Sequence, residues 1–410
     1  MIAIKKKTNL FKRVLAGLII YSIGTFFYQN SRGLCYFFTG ISILLILSGL
    51  RGASFYMPFR NKMKTVFLVF IFWNIITIIR GIFSDYDLHE LNPINTYGFM
   101  AYLMPLIVLI GIKNMDLKDM VKFSAINAIL GIISVIIYFR NIFGTSVILL
   151  SPEEYQEYIS LLGPTIVLLY NATFVFIIFF VLPKKDKYLA FVTVGLLLII
   201  LVVAGRRGAL LMTGLTIIFA IYTYIFKYKS KGSSKMLKWF FTAAVLGSIF
   251  LLVYINFDSL FSFLIQRGVE DTRATVQDEF FKNFDGNYLD WLFGRGISGT
   301  YFTTVFESNM ERGIMESGYL HLILKGGILS LALFVIILIN SFIKGFFRSN
   351  NVIVKAMALY ILIHVVYLYP FGIPMFTLEY LFLWCSVAYC QSAYWRSLSD
   401  FQILGKKGLL

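Results

Sequence analysis

The chain has 410 residues, 59% of them hydrophobic and 18% aromatic, with only 14% charged and a net charge of +16. Its mean hydropathy of +0.78 lies far above the range of a soluble domain, which excludes a water-soluble globular fold and points to a membrane protein. A nucleic-acid partner is excluded too, because the positive charge sits in short segments between apolar runs, where it meets anionic lipid headgroups.

A membrane-spanning helix needs about 20 mostly apolar residues, or about 17 at the short end. Twelve stretches qualify in chain order: 14–30, 34–49, 65–81, 96–112, 120–139, 163–182, 188–204, 209–226, 239–256, 318–343, 352–369 and 375–393. The expectation is an all-α polytopic protein of about twelve transmembrane helices in a single membrane domain covering 1–410. The first run continues too long for a cleaved signal sequence, and a second follows almost at once. Placing the N-terminus in the cytoplasm, with Lys5, Lys6, Lys7, Lys12 and Arg13, assigns 26 of the 37 Lys and Arg to inner segments, together with only four acids. The positive-inside rule therefore sets both termini in the cytoplasm. Cys35, Cys385 and Cys390 fall in apolar runs without metal or redox spacing and read as small buried hydrophobes.

Against this trend, Ala204-Gly205-Arg206-Arg207-Gly208-Ala209 puts two arginines in a tight outer turn. Most other outer connections are brief, but 257–317 is a polar insertion well beyond what joining two helices requires. Within it Asp271 and Thr272 are helix-capping types, and 272–284 reads as an amphipathic helix with Val276, Phe280 and Phe284 on one face. Arg273 lies close to that face; it either meets an anionic ligand there or snorkels to pair with Asp271 or Glu270. Trp291-Leu292-Phe293-Gly294-Arg295-Gly296 follows as a turn, and Glu316-Ser317-Gly318-Tyr319 carries the loop into the next span, ahead of Lys325-Gly326-Gly327. A carboxylate at Glu316, partly desolvated at the outer membrane edge, can act as a base or simply favour the helix dipole. Arg80, at the outer end of the third span, either snorkels or adds to an anion site. The Asp85-Tyr86-Asp87, His89 and Glu90 cluster reads as a solvated acidic loop, with a divalent metal site as the rarer alternative. His364 and Glu379 are ionisable groups inside spans, to which the sequence assigns no role.

Three of these features, in this order, resemble the bacterial O-antigen ligase and polymerase (Wzy) family: Arg206-Arg207-Gly208-Ala209 between two spans, the large outer loop with Thr272-Arg273 and Gly294-Arg295-Gly296, and the loop exit. At the exit Ser317, Gly327 and Ser330 fit the ligase spacing, but Glu316 stands where ligases have histidine, which favours the polymerase branch; His321 is out of frame. The resemblance covers roughly 190–345. It implies a GT-C-like membrane fold with an active site facing the periplasm of the bacterial inner membrane. Its substrates would be an undecaprenyl-pyrophosphate-linked oligosaccharide donor and acceptor, joined with inversion and without metal or other cofactor. A chain-length regulator protein is a possible partner, alongside the membrane lipids. In that chemistry Arg207 and Arg273 would clamp the departing pyrophosphate, with Arg206, Arg295 and Arg80 assisting. Glu316 would take the acceptor proton, and Tyr319 would face a sugar ring. The alternatives are a ligase moving glycan onto a lipid A core and, in another class, a flippase for the same lipid-linked sugar.

Overall fold

A computed structural model describes residues 2–27, 31–50, 55–83, 91–110, 115–139, 152–204, 206–228, 272–304, 311–315 and 317–404. In order, the helices are α1 (Ile2–Phe26), α2 (Arg32–Leu50), α3 (Lys62–Ile82), α4 (Phe99–Leu103), α5 (Leu117–Ile137), α6 (Pro152–Tyr170), α7 (Ala172–Ile177), α8 (Lys184–Val203), α9 (Arg207–Tyr228), α10 (Thr272–Phe284) and α11 (Tyr288–Phe293). A two-residue antiparallel pair, β1 (Tyr301–Phe302) with β2 (Glu311–Arg312), precedes α12 (Gly318–Phe347), α13 (Val352–Tyr367), α14 (Leu378–Gln391), α15 (Ala393–Ser397) and α16 (Asp400–Leu404). The chain is an all-α membrane protein. Among the described residues six helices are long and apolar enough to cross a bilayer: α2, α3, α5, α8, most of α9, and α12. Large apolar side chains such as Phe37, Leu44, Phe72, Ile136 and Phe191 are exposed on four of them, a surface that only lipid can cover.

Several expected spans are shorter or broken. The 96–112 run is α4 followed by a 3-10 turn over Met104–Leu109, because Pro105 lacks the N–H and crowds the preceding turn. The 163–182 run is interrupted at Asn171 between α6 and α7; the Asn171 side chain donates to Val167 O at 2.9 Å and the Asn171 backbone carbonyl accepts from Ser124 Oγ at 3.1 Å. The 239–256 run lies outside the described residues, as does most of the outer insertion before Thr272.

α14 is too short to cross a bilayer by itself, at 14 residues or about 21 Å, and every one of its residues is buried. A helix apolar on all sides belongs in the middle of a bundle. Trp384, fully buried, packs its ring against Phe70, Phe334 and Tyr380 at 5.7, 5.9 and 6.1 Å between centroids. α12, α13 and the 3-10 turn over Met104–Leu109 pack around it, and α3 reaches it through Phe67 and Phe70. At one end of the bundle Asn351 caps α13 through Val354 N–H at 2.7 Å, and the Asp400 carboxylate accepts from Val352 and Ile353 N–H at 2.9 and 3.0 Å. Lys12 pairs with Asp119 at 3.4 Å at this end, and Tyr389 OH donates to Met115 O at 2.7 Å. Lys344, Arg348 and Arg396 belong to the same Lys- and Arg-rich end. The opposite end joins Tyr21 to Ile94 O at 2.9 Å and Phe376 N–H to Thr96 O at 2.7 Å, and it carries the arginine turn and the outer insertion.

α10 presents Val276, Phe280 and Phe284 inward, as its spacing predicts, onto Tyr301, Met315, Leu320, Ile323 and Leu324. α12 is interrupted at Gly327; the stretch beyond it, 328–347, is about 30 Å long, matching a hydrocarbon thickness of about 30 Å, and the turns before it are roofed by α10 and α11. The outer side of this roof exposes Phe281, Tyr288, Leu289 and Leu292, a composition suited to the headgroup boundary. Spin labels at 289 and 292 should accordingly be reached by oxygen in preference to a water-soluble nickel chelate, with labels at 275 and 278 showing the reverse; chelate access at all four positions would place the roof in water.

Candidate functional site

The end of the bundle opposite the Lys- and Arg-rich one is organised by a break in α12. Gly327 has φ 73 and ψ −178, which interrupts the helical ladder and leaves the carbonyls just before it in need of donors. Arg295 N–H donates to Leu324 O at 2.8 Å and Gly296 N–H to Lys325 O at 2.9 Å. Trp73 Nε1 donates to Gly326 O at 2.8 Å. The segment 293–299 is in turn tied to α3: Ile297 N–H donates to Thr77 O at 3.0 Å, and Arg80 Nη1 and Nη2 donate to Phe293 O and Gly294 O at 2.6 and 2.7 Å. Lys325, fully buried, donates Nζ to Gly299 O at 3.0 Å. The Gly-Arg-Gly and Lys-Gly-Gly motifs, distant in sequence, are two halves of one interlock.

Arg295 completes it. Its Nε donates to Asp290 Oδ2 at 2.7 Å, Nη1 to Thr300 O at 2.8 Å and Nη2 to Asn283 O at 2.7 Å, and its guanidinium carbon lies 4.5 Å from the centroid of the Phe284 ring. Arg80 and Arg295, expected as assistants at a phosphate, thus also act as struts, with three and two of their five N–H groups respectively not engaged among the described residues. The sequence reading did not foresee this use. Trp291 is likewise packed, stacking on Phe281 at 5.9 Å and meeting Phe284 edge-on at 5.4 Å. Nearby, burial would raise the Glu279 carboxyl, but hydrogen bonds from Thr303 and Thr304 outweigh it and hold the group below its usual value.

Beside the interlock a second assembly forms around the loop after α13. Tyr319 N–H donates to Leu368 O at 3.2 Å, and its ring stacks on Tyr369 at 6.5 Å with an interplanar angle of 6°. A Cβ on Gly318 would come within 2.7 Å of Phe371 O, and one on Gly208 within 3.0 Å of Pro370 Cβ. The exit of the outer insertion and the arginine turn therefore pack on the same few residues, 368–372. Arg206 is exposed there, forms no ion pair among the described residues, and lies within electrostatic reach of Tyr97 and Tyr367. Arg207 is the first residue of α9 and Arg273 the second of α10; their side chains, Glu316 itself and the Asp85–Glu90 loop lie outside the described residues. Ser317, next to Glu316, is buried with its Oγ unpartnered among the described residues, as is Nε2 of the fully buried His321.

Inward from Tyr367 is a narrow cleft, with room for about one water, lined by His364, Thr377, Glu379 and Tyr380 among others. His364 Nε2 meets Glu379 Oε1 at 3.1 Å, with side-chain exposures of 11% and 9%. The pair is held from behind: His364 Nδ1 lies 3.0 Å from Tyr360 O. Sequence alone located both residues in spans but carried no signal that they would meet.

Comparison with known proteins returns no matching family model, no matching curated protein and no matching solved structure.

The interlock makes a specific demand on glycine. A Cβ at Gly327 would collide with Leu292 O in a left-handed backbone, whereas Gly286, also at positive φ, has open space around it. Gly327→Ala should cost at least about 2–4 kcal/mol, strain and overpacking together, and Gly286→Ala about 1 kcal/mol. Thermal unfolding of the two variants in detergent measures the difference; equal melting temperatures would remove the interlock from the account.

Proposed function

We propose that the chain is a membrane glycosyltransferase of polyprenyl-diphosphate-linked sugars, acting as an O-antigen-type polymerase at the outer face of a bacterial inner membrane. The observation that carries this reading is the convergence of the arginine turn and the insertion exit on residues 368–372, with Arg206 exposed and without an ion pair among the described residues. An exposed cation at the end of the bundle opposite the Lys- and Arg-rich one is a site for an anion. The neighbouring Ser317 and the aromatic residues Tyr319 and Tyr369 suit a substrate with a charged link between lipid and sugar.

In this reading Arg206, Arg207 and Arg273 neutralise charge growing on the departing diphosphate. A guanidinium fork engages phosphate oxygens bidentately and stays protonated near lipid. The anomeric carbon loses its bond to the diphosphate oxygen, which leaves with the electron pair. The acceptor hydroxyl forms the new bond from the opposite face and gives its proton to Glu316. The diphosphate is a good leaving group, so positioning and charge neutralisation carry the reaction. Glycan pattern on complementing a deletion strain separates the readings: lipopolysaccharide with a single repeat unit in the deletion, restored to a ladder by the chain, marks a polymerase. Accumulated lipid-linked polymer with bare core marks a ligase.

Arg206→Ala and Arg207→Ala should each lower polymer formation by about 10²–10³ at normal membrane abundance, read on glycan gels beside an immunoblot; full-length polymer from both would remove the arginine turn from catalysis. Glu316→Gln should bind the donor normally and fail to turn it over, and wild-type turnover in that variant would reduce Glu316 to a helix-end carboxylate.

A further inference from the structure

The Lys- and Arg-rich end of the bundle holds a cluster of cations that the reaction above does not use. Lys344 and Arg348 lie one turn apart at the end of α12, where Arg348 N–H donates to Lys344 O at 3.1 Å. The turn into α13 fixes a third cation beside them. Asn350 N–H donates to Arg396 O at 2.8 Å, and Asn351 Nδ2 donates to Trp395 O and Leu398 O at 2.9 and 3.0 Å. From there Arg396 reaches back with Nη1 to Arg348 O at 3.4 Å. Lys344 Nζ donates to Gln391 Oε1 at 2.9 Å, and Gln391 is itself held by Asn340 Oδ1 and Ser341 Oγ at 3.0 and 2.9 Å. The fold thus builds this cluster from the ends of α12 and α14 and from α15.

Every one of those partners is neutral. None of the three cations forms an ion pair among the described residues, and acids at this end are engaged elsewhere. Asp119 pairs with Lys12, Asp116 accepts from Lys118 N–H, and Asp400 accepts from Val352 and Ile353 N–H. Two N–H groups of Lys344 and four of Arg396 are not engaged among the described residues. Arg396 is half-buried; burial pulls its guanidinium below the usual value, and the Arg348 and Arg60 cations add to the pull. Like charges gathered where water is partly excluded are costly without an anion between them. The same helix also supplies an apolar wall. Ile336, Ile343 and Phe347 are exposed and recur at seven and four residues, so they share one face of α12 next to Lys344 and Arg348. We propose that this corner binds one anionic phospholipid. Lys344, Arg348 and Arg396 hold its phosphate diester, the guanidinium forks taking the oxygens in pairs, and an acyl chain runs along Phe347 and Ile343. The site is independent of the polymerase reading.

The test uses the full-length chain in phosphatidylcholine nanodiscs, with a bimane on Tyr394→Cys, an exposed position two residues before Arg396. Two quenching lipids are compared, phosphatidylglycerol and phosphatidylcholine, each with a nitroxide near the glycerol end of one acyl chain. The anionic lipid should be preferred at least about tenfold, and Arg348→Gln and Arg396→Gln should each lower that preference about fivefold. Lys185→Gln, which removes a cation of the same end on α8, a helix packed on α5, should leave it unchanged. Arg348 is exposed, so its variant decides the matter if Arg396→Gln does not fold. Equal quenching by the two lipids would overturn the site, and so would an equal loss in all three variants, which would mean a diffuse surface charge. Excess inorganic phosphate at constant ionic strength should leave the quenching as it was; displacement of the anionic lipid by phosphate would overturn the lipid as occupant.

Discussion

One end of this protein depends on a backbone accounting problem. α12 breaks at Gly327, buried among its neighbours, and a broken helix there leaves carbonyls that only adjoining segments can serve. The insertion answers with Arg295 N–H, Gly296 N–H and, from α3, Trp73 Nε1. Arg80 and Arg295 then spend much of their hydrogen-bonding capacity on the carbonyls and carboxylate of the same segment. This is why two glycines with positive φ, Gly294 and Gly327, face each other: the backbones approach too closely for side chains between them.

That solution positions everything else. With 293–299 pinned between α3 and α12, the insertion returns to the bundle at Ser317 and lays Gly318 and Tyr319 against residues 368–372. The same loop receives Gly208 behind the arginine turn. Immediately inward, α13 and α14 bring His364 and Glu379 together at the head of a helix buried along its entire length. A rigid interlock, a cation turn and a carboxylate cleft thus share one end of the bundle, and the membrane face of that end is roofed by α10 and α11. In our reading, the interlock is scaffold and the neighbouring arginine turn is the working part.

Much of this architecture was legible in the sequence. Apolar run length located α2, α3, α5, α8, α9 and α12, and the four-residue spacing of Val276, Phe280 and Phe284 located α10 and its inner face. The misses have physical causes. Pro105 and Asn171 break runs whose hydropathy is continuous, because hydropathy counts side chains and ignores backbone donors. α14 looks like a span by composition, yet its apolarity reflects burial in protein. The carbonyls that Arg80 and Arg295 reach are a further feature that no sequence shows beside a cation. The His364–Glu379 contact joins two helices across a loop, and no periodicity reports such a meeting.

The central claim is that the arginine turn and the insertion exit grip one lipid diphosphate between them. Photocrosslinking with an undecaprenyl diphosphate analogue carrying a diazirine on the lipid segment next to the phosphates tests it most directly, with the attachment sites mapped by mass spectrometry. Adducts should fall in 206–210 and 317–320 together, and excess unlabelled undecaprenyl diphosphate should suppress both. Adducts confined to the opposite end, around 344–355, or to only one of the two segments, would contradict the account.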